Sequence, residues 1–282
     1  MRIRLAMSGR GVPFWVGVIG LSVLLAIAVV GPFVAPHSPT ATVGPPADGP
    51  SSGSLMGTDT VGRDVFSRLL NGGRSVFALG LVATLIGYAI GVPVGLAAGY
   101  KGSYVDALLM RGVDLALVVP TLLTALLAMV AFGRSPTVLV CIVGVLQAPY
   151  ISRVVRAVTL DIRTRGYVEA ALMRGDSAGT IIRHDILPNI SSPILADLGL
   201  RFAYAIILVA TVNYLGLGLS PPASDWSLMI AENQQIMNLN PWSMFAPAAV
   251  LALLAVTVGT IGDAVARDLG ARSRLDEAHD VA

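Results

Sequence analysis

The chain has 282 residues, 55% of them apolar and 13% charged, with a formal net charge of +2 and a mean hydropathy of +0.75. A soluble chain has about 25% charged residues with which to cover its surface. The composition therefore excludes a soluble globule, a disordered chain and a coiled coil, and calls for a surface that faces lipid.

A bilayer core of about 30 Å takes about 20 helical residues. Six stretches qualify, near 14–35, 75–99, 107–132, 136–157, 193–217 and 242–266. The first follows Arg2, Arg4 and Arg10, as in a signal peptide. Its apolar run outlasts an h-region of about 7–15 residues and no small-x-small site closes it, so an uncleaved first transmembrane helix is expected. Residues 37–54, rich in Pro, Gly and Ser, read as an extended linker. The second span has Gly80, Gly87, Gly91, Gly95 and Gly99 on one face, with Ala83 and Thr84 between them. Such a face lets a neighbouring helix approach closely, either as static packing or as a sliding surface between two conformations.

At one end of the third span stand Asp106, Arg111 and Asp114; the spacing allows an Arg111–Asp114 pair. Asp197 and Arg201 are spaced for pairing in the fifth. Charges near the membrane are costly, so each pair is read either as a local ion pair or as a solute contact or proton relay. Gln147, Tyr204, Thr211 and Asn213 are uncharged candidates for lining a path. Ser135-Pro136, Ser192-Pro193 and Asn240-Pro241 each read as an N-cap followed by proline at the first helical position. Residues 218–241 carry Pro221-Pro222 and a short helical pattern with Trp226, Met229 and Ile230 on one side. The tail from Ala271 is polar and expected to fray.

Basic residues fix the orientation. With the N-terminus inside, fourteen of the nineteen lie on inner segments, four (Arg63, Arg68, Arg74, Arg134) lie outside and Arg201 lies within a span. Both termini are then cytoplasmic. Chemistry is sparse. Lys101 is the only lysine and is not part of a phosphate-binding loop. Cys141 is the only cysteine, which rules out an internal disulfide. The histidines at 37, 184 and 279 share no metal-ligand spacing, and no nucleophile–base pair is evident. No cofactor and no metal are expected on this chain, and no nucleic acid among its partners.

The inner segment 158–190 holds two short amphipathic helices. Val168, Ala171, Leu172 and Gly175 form one apolar face; Ala178, Ile181, Ile182 and Ile186 form the other. Gly175 separates them at a turn needing positive φ, Asp176 or Ser177 caps the second, and Leu187-Pro188 ends it. These faces must bury against the protein's own helix ends or against a cytoplasmic partner.

Glu169-Ala170-Ala171, Gly175 and Leu187-Pro188 resemble the EAA loop of ABC importer permeases, with Asp185 where that pattern has isoleucine. Leu55-Met56-Gly57-Thr58-Asp59, Gly62-Arg63-Asp64, Pro120-Thr121, Leu215-Gly216-Leu217-Gly218, Pro221-Pro222, Trp226, Pro241-Trp242 and Gly262-Asp263 resemble the dipeptide/oligopeptide/nickel branch, C-type subunit. The resemblance runs from about Leu55 to Leu269. It implies an all-α membrane protein with six transmembrane helices, the N-terminal first helix among them, in the type I ABC importer (MetI-like) permease fold. The expected organisation is 1–36 (tail and first helix), 37–74 (extracytoplasmic), 75–270 (five-helix core with its 158–190 loop) and 271–282 (cytoplasmic tail).

It further implies a multi-pass protein of the bacterial cytoplasmic membrane that imports short peptides or related solutes. Its partners are a B-type permease, two cytoplasmic ATPases that hold the ATP and Mg, and an extracytoplasmic substrate-binding protein. Glu169, Ala170, Ala171, Gly175, Leu187 and Pro188 map onto the coupling motif, and Arg63, Asp64 and Trp226 onto an outer gate or binding-protein contact. The alternatives are a self-sufficient secondary transporter, or the same machinery importing a nickel chelate, haem or glutathione.

Overall fold

The computed structural model describes the backbone of residues 12–280 and the side chains of 14–262 and 264. Arg2, Arg4, Arg10 and the side chains of Asp263, Arg267, Arg272 and Arg274 lie outside it. Among the described residues the regular structure is helical, apart from three isolated antiparallel bridges. The elements are α1 (Val12–Val34), α2 (Val65–Lys101), α3 (Ser103–Val118), α4 (Thr121–Phe132), α5 (Pro136–Arg163), α6 (Gly166–Met173), α7 (Ala178–Ile181), a π turn (Ile182–Ile186), α8 (Leu187–Tyr214), α9 (Trp226–Asn233), a 3-10 turn (Gln234–Ile236) and α10 (Trp242–Asp280).

Five of these are long and apolar enough to cross a membrane. α3 and α4 together make a sixth only as a pair bent by 85°. The third stretch is thus broken rather than straight. Val119 is extended just before Pro120, because a residue preceding proline is pushed out of the α region.

α2 is the spine. Asp64 caps it, accepting from the Ser67 backbone N–H at 2.9 Å, so it begins ten residues before the apolar stretch at 75. Three core clusters stack along it. Val65, Leu69 and Phe77 pack with Leu24, Trp226, Met229 and Leu254; Ala83 packs with Met129, Leu139, Val143 and Val212; Leu96 packs with Ile151, Val155, Ile181 and Ile190. The glycine face of α2 does bring a helix close. A Cβ on Gly87, Gly91, Gly95 or Gly99 would meet α5 at 2.6–3.0 Å, and one on Gly80 would meet Ile206 of α8 at 2.6 Å.

Of the three expected proline starts, one is not a start and one lacks its side-chain cap. Ser135 caps α5 as expected. Pro193 instead lies inside α8, which begins at Leu187. Membrane helices tolerate such prolines because neighbouring groups satisfy the freed carbonyl. The Asn240 side chain does not cap α10; it donates to the Met56 and Thr58 carbonyls at 2.9 and 3.0 Å.

Residues 37–64 are a folded lobe, not an extended linker. Bridges join Thr42 to Arg63 and Thr58 to Asp64, and Thr58 donates to the Pro45 carbonyl. The backbone of α10 stays helical to Asp280, through the segment expected to fray. Asp114 pairs with Arg153 of α5 at 2.5 Å rather than with Arg111, and Asp106 pairs with Arg156. Both pairs fasten α3 to α5, which reaches these carboxylates from across the helix pair.

Candidate functional site

The loop between α5 and α8 is built by its own sequence. α6 ends in a Schellman turn: the Gly175 N–H bonds to the Leu172 carbonyl and the Asp176 N–H to that of Ala171. Gly175 sits at φ +79°, which a residue without a Cβ adopts without strain. Ser177 then caps α7, accepting from the Thr180 N–H. Leu187-Pro188 does not end the helix. The Leu187 N–H reaches back five residues to Ile182, and Pro188, with no N–H to donate, stands in the first turn of α8.

The loop divides its apolar residues. Val168, Ala171, Ile181 and Ile186 are buried against α2, α5 and α8. Leu172 and Ala178, expected on the same faces, are exposed. Met173 is 90% exposed, with Tyr167, Glu169 and Ala170 also open to the surroundings. The loop is thus anchored on its own helix ends and presents a second, partly apolar face outward.

Gln147, Tyr204 and Thr211 come together around a cavity of about 540 Å³, with Tyr150 and Arg201. The Arg201 guanidinium lies 5.4 Å from the Tyr150 ring centre and 5.7 Å from that of Tyr204. Its Nε donates to Asp197 at 3.1 Å, so the expected pair is present, and the Tyr88 hydroxyl donates to the same carboxylate at 2.9 Å. Tyr88 and Tyr150 had no periodicity or spacing to single them out. Asn213 does not line this cavity. It is buried, and its Oδ1 accepts from the Leu219 N–H, holding the turn that ends α8.

At the opposite end of α2, Arg63, Asp64 and Trp226, expected at an outer gate or binding-protein contact, are buried and held by partners within the chain. Asp64 is a helix cap. Trp226 donates from Nε1 to the Leu69 carbonyl and fits against Gly72 and Gly73. Arg63 belongs to a four-membered ionic cluster with Asp59, Arg68 and Glu232. Arg68 and Glu232 escaped sequence reasoning because they lie 164 positions from each other; the one local signal was the four-residue spacing of Asp59 and Arg63.

Comparison with known proteins places this geometry. Residues 91–274, well over half of the chain, match the family described as binding-protein-dependent transport system inner membrane component. The chain is 31% identical over 264 residues to the dipeptide transport system permease protein DppC of Alkalihalophilus pseudofirmus, covering 93% of this chain and 84% of that one. It is 33% identical over 229 residues to the glutathione transport system permease protein GsiD of Pectobacterium atrosepticum, covering 81% and 74%. Among solved structures, an inward-facing MetNI methionine ABC transporter matches with a TM-score of 0.58 at 19% identity, over 71% of this chain and 95% of that one. An amino acid ABC transporter matches at 0.54 and 19%, over 71% and 94%.

The chain belongs to the family of binding-protein-dependent inner-membrane transport components. Within it, the chain is a permease of the DppC/OppC-like branch with the all-α type I ABC permease fold. It is a transport subunit of a multi-component system, not an enzyme, which sets aside the self-sufficient secondary transporter.

Proposed function

We propose that this chain is one half of a permease pair that carries short peptides or closely related solutes inward, driven by ATPases docked on the loop between α5 and α8. Both termini and that loop face the cytoplasm; the 37–64 lobe, α9 and the turn after α8 face the other side, toward a substrate-binding protein. The bias of basic residues supports this orientation. The dipeptide and glutathione names of the relatives support a peptide-like cargo, since glutathione is itself a short peptide.

One observation carries the docking: an exposed apolar knob, Met173 with Leu172 and Tyr167, held on a loop whose other face is packed into the helix ends. Closure of an ATPase pair against such a knob moves α5 and α8 as rigid levers. Glu169, Ala170, Ala171 and Gly175 shape that contact, and Leu187-Pro188 joins it to α8. ATP and Mg belong to the ATPases.

The test is a pull-down of the tagged permease in detergent with ATPase and uptake assays. A second permease and two ATPases are expected with it. Met173→Asp, which leaves the buried face intact, is expected to lose most of the ATPase from the eluate while the permease stays monodisperse. Gly175→Asp puts a Cβ at a left-handed position and a second carboxylate beside Asp176. It is expected to insert normally and to hydrolyse ATP without uptake. Full uptake in Gly175→Asp, or purification of the permease alone with ATP-independent uptake, would overturn the proposal.

A further inference from the structure

We infer that the cavity bounded by Gln147, Tyr150, Arg201, Tyr204 and Thr211 is a transient binding site for the solute, one that recognises a free carboxylate and an adjacent peptide group. This rests on the importer reading and adds to it a site on the permease itself. Two independent features point to a ligand. Gln147 is 95% buried by its 5% exposure, and neither its amide nitrogen nor its oxygen has a hydrogen-bond partner. A buried amide left unmatched is costly, and here it borders an open cavity. Arg201 uses only Nε on Asp197; among the described residues its two terminal amino groups make no hydrogen bond. A guanidinium fork with free N–H groups is the side chain best shaped for a carboxylate.

The dimensions fit. Arg201, Tyr204, Ile207, Leu208 and Thr211 follow one face of α8. From 201 to 211 is about 15 Å of helix, and an extended peptide rises about 3.3–3.6 Å per residue. A tetrapeptide spans the whole length; a dipeptide or tripeptide with its carboxylate at Arg201 fills part of the face, with a peptide group at Gln147. The walls at the charged end are the rings of Tyr150 and Tyr204, which flank the guanidinium. Asp197 keeps the local charge near zero, so binding is weak. Weakness suits a site on a path, where a solute must leave as readily as it enters.

The test is saturation-transfer NMR on the purified transporter complex, without its binding protein or ATP, using dialanine and dialanine amide as probes. Dialanine is expected to bind about tenfold more tightly than the amide, the worth of one charge-assisted hydrogen-bonded contact. The double variant Asp197→Asn with Arg201→Gln, which avoids leaving a lone buried charge, is expected to lose that preference. Gln147→Leu keeps the volume and is expected to weaken both probes about threefold to tenfold. Equal binding of the two probes to the unaltered complex would overturn the inference. So would a preference that survives the double variant, or unchanged binding in Gln147→Leu. Failure of the importer reading shows separately, as absent ATP-dependent uptake in liposomes, and leaves the NMR comparison readable.

Discussion

Replacing Arg68 by alanine is expected to leave no stably folded permease. Arg68 is fully buried, and its Nη1 bridges Asp59 at 2.6 Å and Glu232 at 2.7 Å, while Nη2 donates to the Ala223 carbonyl at 3.1 Å. Arg63 closes the cluster, with Nε on Asp59 at 2.6 Å and Nη2 on Glu232 at 3.1 Å. The cluster ties the lobe, the first turn of α2 and α9 together. Without Arg68, the buried Asp59 and the largely buried Glu232 share one cation. Removing one partner from such a cluster costs about 3–5 kcal/mol, a large part of the about 5–15 kcal/mol that holds a typical domain folded. Arg68→Lys keeps the charge but not the planar fork that bridges both acids, so an intermediate loss is expected. Arg174→Ala is the contrast. Its pair with Asp176 is exposed, and a loss below about 1 kcal/mol is expected. Thermal melts of the detergent-purified protein, followed by size-exclusion, rank the three. An Arg68→Ala protein that melts with Arg174→Ala would show that the cluster does not hold this end together.

The same cluster explains where the sequence was readable and where it was not. Hydropathy located the five unbroken spans, because lipid demands a long apolar run wherever a helix crosses it. The glycine face of α2, the Gly175 turn, the Ser177 cap and the Asp197–Arg201 pair were readable too, since each is a matter of local spacing. What escaped was held by distant partners. The first ten residues of α2 contain Ser67, Arg68 and Asn71, so a hydropathy window excluded them; they are helical because Asp59, Glu232 and Trp226 receive them. Trp226 was legible as one side of a short helical pattern, but not the Gly72-Gly73 notch that it fills. The 37–54 stretch had the composition of a linker, but Asn233 and Asn240 stitch the lobe onto α9 and α10 from nearly two hundred residues away. The break at Pro120 was masked by continuous hydropathy on both sides. Of the expected site residues, those of the loop between α5 and α8 were legible as a motif. Three of the four path residues meet at one cavity, a convergence that depends on how α5 and α8 are packed and that no single-helix pattern contains.

Gly91→Leu and Gly95→Leu are expected to prevent assembly of the helix bundle. α2 and α5 form its closest packed pair, and their contact is backbone against backbone. A Cβ at Gly91 would stand 2.7 Å from the Ile151 Cβ and 2.8 Å from the Ala148 carbonyl oxygen; one at Gly95 would stand 2.6 Å from the Ser152 carbonyl oxygen and from the Val155 Cβ. Neither neighbour is the end of a flexible chain, so the helices themselves must separate. Overpacking a core costs about 1–3 kcal/mol for a few methylenes. Here four carbons are forced between two backbones, and separation also gives up the close contact on which helix association in lipid depends. Gly112→Leu serves as the control, because nothing lies within 4 Å of its Cβ position. Monodispersity in detergent and melting temperature should fall for the first two and hold for the third. Gly91→Ala then separates the two readings of the glycine face. If the face is static packing, the alanine variant loses stability while each assembled transporter turns over normally. If α5 slides along α2 as the path opens, turnover per assembled complex falls more steeply than the melting temperature, because one added methyl obstructs every intermediate position and not the resting one alone. A Gly91→Leu protein that assembles and transports normally would rule out both readings.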